Sequence, residues 1–241
     1  MSEPTREAWI SEAAPGRTFA EVGGLWGTVN EQVSVAAGAG AAATTMIDVA
    51  PRDGSAGDLW KLFRERTDAL GVSPPSCVQA SIDDPALTER VGSFDVVHSS
   101  GVLYHCPQPL HTLMQLRAIT RETLILGTAT MPETVENVAG SVSVAPGAAL
   151  LVPAMSHSQR AVLGQWLTDN GASCALGVNR ALDSDWAIDD YGAWWWFFTR
   201  DHVAALLRIA GFEVVNVASY WNGRATLYSA RAAGPPDPVV G

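Results

Sequence analysis

TFAEVGGLWGTVNEQVSVAAGAGAAATTMID, residues 18–48, is the stretch on which the fold turns. Short β-branched runs at 18–22 and 44–48 enclose a glycine turn and an amphipathic stretch, the order of a β-α-β unit. Thr28 with Glu31 three residues later makes a capping box, and Val29, Val33 and Ala36 then share a helical face. A helix is therefore predicted to start directly after Gly23, Gly24 and Gly27. Glycines at that junction let a ligand come close to the backbone at the carboxyl edge of the sheet. Their spacing, G-G-x-x-G, differs from the G-x-G-x-x-G of dinucleotide binding. Glu21, ahead of the turn, suits a cationic ligand and opposes a pyrophosphate. Asp48 closes the second strand, where a carboxylate can accept both hydroxyls of a ribose. Together these residues describe a site for a nucleoside without phosphates.

The same alternation continues to about residue 128, with strands predicted at 76–80, 94–98 and 122–126. A second helix is expected from Asp58, with Leu59, Leu62, Phe63 and Leu70 at helical spacing and Gly71 as its stop. A third opens at Pro109 and turns Leu110, Leu113 and Met114 inward. From about 130 to 198 the regular pattern lapses, and this stretch reads as an insertion. Thr199 then acts as an N-cap for a helix carrying Val203, Leu206, Leu207 and Ala210. Strands at 212–217 and 224–230 follow, close enough to pair antiparallel. The expected organisation is a core of 1–128, a substrate-cap insertion of 129–198, a return to the core at 199–233 and a frayed tail at 234–241.

At 241 residues and 47% hydrophobic, the chain can bury a sizeable core. Fifteen basic against twenty-five acidic side chains leave a formal charge of −10, a field that repels phosphate backbones, so no nucleic-acid partner is expected. The opening MSEPTREAWISEAAPG lacks the apolar run of a secretory signal, and nothing approaches the roughly 18 apolar residues that span a bilayer. A cytoplasmic location without membrane association is expected. Cys77, Cys106 and Cys174 are odd in number and widely spaced, which fits reduced thiols; Cys106 alone is placed for nucleophilic chemistry.

With its acidic residue and glycines ahead of a helix, EVGGLWG resembles the first motif of the class I S-adenosyl-L-methionine (SAM) dependent methyltransferases, acidic-x-G-x-G-x-G. It matches at Glu21, Gly23 and Gly27 and departs at Leu25. The resemblance implies a Rossmann-like, doubly wound α/β fold: a mostly parallel seven-stranded sheet with an antiparallel last strand. It also implies SAM as cofactor, with Asp48 on the ribose, Ser81, Ile82 and Asp83 framing the adenine, and Ser99 near the methionine end. FDVVHSSGVLYHCPQPLHTLMQLRAITRETLIL, residues 94–126, is similar to the branch that includes the wobble-uridine carboxymethyltransferases of bacterial tRNA, which share a G-V-L-Y-H loop before a proline-started helix. Several sugar and small-molecule O-methyltransferases are alike in this region.

His105 lies in that loop. An imidazole, with an ordinary pKa near ~6.5, suits removal of a proton from a substrate hydroxyl, and such help is worth roughly 10²–10⁴-fold. The alternative is a hydrogen-bonded structural role, and Tyr104 beside it either binds substrate or packs. His157, in the insertion, is a second candidate base. His98 is expected in the core, and Trp26 in packing. Trp186, Tyr191, Trp194, Trp195, Trp196, Phe197 and Phe198 crowd one short stretch, which reads equally as a packed hinge or as a substrate wall for the apolar faces of a sugar. Glu133, Glu136, Asp189 and Asp190 could offer oxygen ligands to Mg²⁺, yet carboxylates of an acidic chain ordinarily face solvent, and no metal is assigned. The expected activity is transfer of the SAM methyl to a hydroxyl of a small-molecule or oligosaccharide acceptor. Wobble-uridine modification of tRNA and a non-catalytic SAM-binding module are the alternatives, and a homodimer is left open.

Overall fold

Phe19 and Ala20, Met46 and Ile47, Val96 and Val97, and Ile125 and Leu124 are pairs of sequence neighbours whose side chains enter two different buried clusters. That is the period-2 alternation of strands covered on both faces. The computed structural model describes residues 5–55, 57–172, 186, 188 and 192–234. Its central strands are β1 (Thr18–Val22), β2 (Ala43–Asp48), β3 (Ser76–Gln79), β4 (Phe94–Ser100), β5 (Thr120–Met131), β10 (Phe212–Tyr220) and β11 (Ala225–Ala232). They lie in the order 3-2-1-4-5-11-10. Strands β1 to β5 are parallel, β11 runs antiparallel to β5, and β10 runs antiparallel to β11. The expected seven-stranded α/β sheet with its antiparallel last strand is thus present.

Three helices, α1 (Arg6–Ala13), α2 (Val33–Gly38) and α3 (Leu59–Ala69), supply Trp9, Ile10, Val33, Ala36, Trp60 and Phe63 to the cluster of Phe19, Met46, Val96 and Ile125. The opposite cluster takes Leu87 from α4 (Leu87–Val91), Leu113 and Leu116 from α5 (Pro109–Ile119), and Val203 and Leu207 from α7 (Arg200–Ile209). Strand order reverses between β1 and β4, so the crevice that such sheets offer to ligands opens at the carboxyl ends of those two strands.

Several local expectations are corrected. Helix α2 begins at Val33, because the segment after the glycines tightens first into a 3₁₀ turn, Leu25–Asn30. The predicted inward faces also shift: Leu62, Leu70 and Met114 are exposed, while Trp60, Phe63 and Thr67 line the buried side of α3. Thr199 precedes α7, but its hydroxyl donates to Ala148 O at 2.8 Å and leaves the helix start without a side-chain cap. Helix α1 has no counterpart in the sequence reading.

The insertion contains regular elements that its prolines and glycines had hidden. These are a hairpin of β6 (Thr134–Asn137) and β7 (Gly140–Ser143), strand β8 (Ala149–Leu151), helix α6 (His157–Asp169) and strand β9 (Trp196–Thr199). Ser156 and Gln159 cap α6 reciprocally. Strand β9 pairs parallel with the end of β5, Thr130 opposite Phe198, and β8 pairs antiparallel with β9. A third cluster, built on Met131, Val135, Val142, Val152, Leu163, Leu167 and Phe197, gives this region its own small core. The expected tail at 234–241 falls outside the described residues from 235 onward.

Candidate functional site

The carboxyl ends of β1 to β4 bring Gly23, Gly24, Asp48, Ser81, Ile82, Asp83 and Ser99 to one rim of the sheet. Gly23 stands at φ +81°, and a Cβ there would lie 2.3 Å from Val102 Cγ2. Glycine alone lets the loop after β1 meet the loop after β4 across the crevice. Gly24 lies against the Glu21 carboxyl and Met46, and Gly27 falls in the 3₁₀ turn.

Glu21 is buried, and its Oε2 accepts the backbone N–H groups of Gln32 at 2.7 Å and Val33 at 3.1 Å. A carboxylate is favoured there because the N-terminus of α2 presents unpaired amides and partial positive charge. Glu31 serves the next amide, that of Ser34, at 2.9 Å. Sequence reasoning set Glu21 beside a cationic ligand; in the structure its hydrogen bonds run to α2. Its Oε1 lies 3.2 Å from Nδ1 of His98, which is buried in β4 with neither ring nitrogen in a well-directed hydrogen bond.

Asp48 Oδ2 accepts the Leu25 N–H at 3.0 Å and Oδ1 accepts the Ala50 N–H at 2.8 Å. The residue is 2% exposed, with Leu25 fully buried on the same side. Burial pushes the carboxyl above the usual aspartate range, against the pull of the two amides. The carboxylate keeps lone pairs beyond those two bonds. Trp26, expected to pack, is 68% exposed on that turn.

Beyond β3, Ser81 Oγ accepts the Asp83 N–H at 3.0 Å, Ile82 is buried, and Asp83 Oδ1 accepts the Thr112 hydroxyl at 2.6 Å. At the end of β4, the hydroxyls of Ser99 and the adjacent Ser100 are buried without a partner among the described residues. Cys106 is fully buried and its thiol is pushed up to about 12, first by burial and then by the charge of Asp83, so it holds no reactive thiolate near neutral pH.

The loop after β4 is laced to the aromatic end of the insertion. Trp195 N–H donates to Tyr104 O at 2.9 Å, and Trp196 Nε1–H donates to Pro107 O at 3.3 Å. His105 Nδ1 lies 2.8 Å from Ala193 O. A carbonyl only accepts, so Nδ1 carries the proton and the lone pair resides on Nε2. The Trp194 ring packs on Tyr104 at 4.3 Å and on Phe197 at 5.4 Å, and Trp196 stacks on Phe198. Trp194 and Trp196 therefore brace this loop. Trp195 is half-buried, its indole N–H enclosed without a partner among the described residues. His157 is exposed at the first position of α6. Tyr191, Asp189, Asp190 and Cys174 lie outside the described residues. Glu133 and Glu136 are exposed near the β6–β7 hairpin, and no cluster of three metal-binding side chains occurs among the described residues. No helix among them is long and apolar enough to cross a membrane.

No known protein-family profile matches the chain, and no curated protein sequence matches it. Solved structures do. Magnesium protoporphyrin IX methyltransferase from Synechocystis PCC 6803, with bound S-adenosylhomocysteine (SAH), superposes with a TM-score of 0.56 at 14% identity, over 94% of this chain and 80% of that one. The 1,6-didemethyltoxoflavin-N1-methyltransferase of Burkholderia thailandensis gives 0.54 at 13%, over 96% and 80%. The N-terminal domain of EvdMO1, solved in the presence of SAH and D-fucose, gives 0.53 at 15%, over 98% and 84%. The chain has the fold of the class I SAM-dependent methyltransferases. On this methyltransferase fold the sequence reading missed Ser100 and the tip of the β10–β11 hairpin, where Trp221 meets Gly101 of the loop after β4 and Arg224 O accepts the Thr130 N–H at the end of β5. The one local signal was Asn222-Gly223, a turn pair between two strands.

Proposed function

We propose that the protein transfers the methyl group of SAM to a hydroxyl of a small acceptor, with a saccharide as the favoured class. The observation that carries this reading is the placement of Gly23 and Asp48 at the ends of neighbouring strands, on the rim where strand order reverses. The residues fit the cofactor. Asp48 has lone pairs for the ribose, the stretch from Ser81 to Asp83 lies next along the rim for the adenine, and the buried Ser99 hydroxyl at the end of β4, without a partner among the described residues, suits the methionine portion. Glu21 contributes from behind, by holding α2 and the glycine turn in register.

When bound, SAM supplies a methyl group already made electrophilic by its sulfonium. The chain then has two tasks, to align the acceptor and to receive a proton. Alignment alone can supply about 7–11 kcal/mol of the barrier. His105 would take the proton of the acceptor hydroxyl at Nε2, and the Ala193 carbonyl would stabilise the charged ring through Nδ1–H. Ala193 and Trp195 belong to the segment that also pairs with β8, so their hydrogen bonds tie the base to the insertion, whose closure over the acceptor would exclude water. The half-buried Trp195 and the exposed His157 are the described residues of the insertion assigned to the acceptor in this reading. The EvdMO1 structure determined in the presence of D-fucose supports a saccharide acceptor, and the −10 charge opposes tRNA.

Incubation with methyl-labelled SAM, a panel of mono- and oligosaccharides and bulk tRNA at low salt is expected to place label in a saccharide fraction and none in RNA. Label in tRNA, or none in any saccharide, would contradict the reading.

A further inference from the structure

We propose that the tip of the β10–β11 hairpin binds an anionic group on the acceptor, with the Arg224 guanidinium and the Tyr104 hydroxyl as its donors and the Trp221 ring as the wall beside them. This rests on the methyl-transfer reading above and narrows its substrate class to acidic saccharides.

The tip reads Trp221-Asn222-Gly223-Arg224, and its first three residues stand consecutively at φ 49°, 54° and 83°. Left-handed backbone is costly at a bulky aromatic. Here it is held by Gly223 N–H to Tyr220 O and Arg224 N–H to Trp221 O, both at 3.2 Å. Strain of this kind concentrates where a side chain must be aimed. Trp221 is aimed at Gly101, in the loop after β4. A Cβ on Gly101 would stand 3.6 Å from the Trp221 ring and 3.7 Å from the Tyr104 hydroxyl, and its φ of +80° also favours glycine. The hairpin tip and the loop of the candidate base therefore meet over one residue.

Tyr104 is 6% exposed, and its hydroxyl has no hydrogen-bond partner among the described residues. Burial drives its pKa well above the ordinary phenol range, so at neutral pH it keeps its proton and can donate. Arg224 is close enough for its charge to oppose that rise. The backbone fixes Arg224 on the same rim, since its carbonyl accepts the Thr130 N–H at 3.0 Å at the end of β5. Its Nε donates to Trp221 O at 3.0 Å, and among the described residues it has no acidic partner, although the chain carries 25 carboxylates. Arg224 keeps Nη1 and Nη2 beyond its one backbone bond, and with the Tyr104 hydroxyl these donors are the complement of an acceptor-only group, a carboxylate or a phosphate. A chain of net charge −10 repels such a group unless a local cation receives it. The flat face of Trp221 suits the apolar side of a sugar ring carrying it.

The test is a calorimetric titration of SAH-saturated protein with D-glucuronate, D-glucose 1-phosphate and D-glucose. At least one anionic sugar is expected to bind about tenfold or more tightly than glucose, and which one identifies the carboxylate or the phosphate as the recognised group. Arg224→Gln is expected to abolish that preference while leaving SAH affinity and the melting temperature in place, and Arg224→Lys to keep part of it. Equal affinities for the three sugars, no binding by either anion, or a preference that survives Arg224→Gln would overturn the proposal. Saturation with SAH is measured first. Its failure strikes the cofactor reading, whereas SAH binding without anion preference strikes this proposal alone.

Discussion

Asp48→Asn is expected to weaken SAH binding by about 100-fold or more, measured by calorimetry at neutral pH. The substitution keeps shape but removes charge, and hydrogen bonds to a charged group contribute about 1.5–3 kcal/mol each, so losing two to a ribose reaches that range. The wild-type pH dependence has a definite sign. Burial raises the Asp48 carboxyl above its ordinary value, so SAH affinity should fall on acidification at a higher pH than a solvent-exposed aspartate would give. For stability the sign is opposite. A raised folded-state pKa means that ionised Asp48 opposes folding above that value, and this cost disappears as pH falls below the unfolded value near ~3.9. An Asp48→Asn variant that binds SAH as well as the wild type would remove the ribose assignment and leave the carboxylate as a brace for Leu25 and Ala50.

His105→Ala is expected to lower methyl-transfer turnover by about 10²–10⁴-fold with SAH affinity unchanged, the loss assigned to a general base. A bracing role for the ring predicts a different pattern, because the hydrogen bond to Ala193 also ties the loop to the insertion. Asn at this position can still donate to that carbonyl but cannot take a proton. His105→Asn should therefore stay as impaired as His105→Ala; recovery of turnover in the asparagine variant would show that the imidazole only positions the segment.

The parts of this architecture that could be read from sequence are those encoded locally. Strands β1, β2 and β4 show their alternation because both faces are covered, and Asp48 stands out as an acidic end to an apolar strand. What local pattern could not supply was the partner brought from elsewhere. Thr28 and Glu31 suggested a helix start, yet the amides of α2 are held by Glu21, eleven and twelve residues upstream across the glycine turn. Helix α1 buries Trp9 and Ile10 within a polar segment too short to show a period. The insertion strands span three or four residues each, below the length at which alternation becomes legible, whereas the Ser156 and Gln159 capping pair of α6 is legible in the sequence. Trp221 meets Gly101 only because sheet order sets β11 beside β5 and β5 beside β4, and nothing local to either residue encodes that neighbourhood.

In the proposed reading the rim at the carboxyl ends of β2, β1 and β4 holds an adenosyl ligand without phosphates. Titration of the wild-type protein with SAH, with NAD⁺ as the matched dinucleotide, tests it most directly. Saturable single-site binding of SAH that NAD⁺ does not displace is expected. No binding of SAH, or its displacement by NAD⁺, would contradict it.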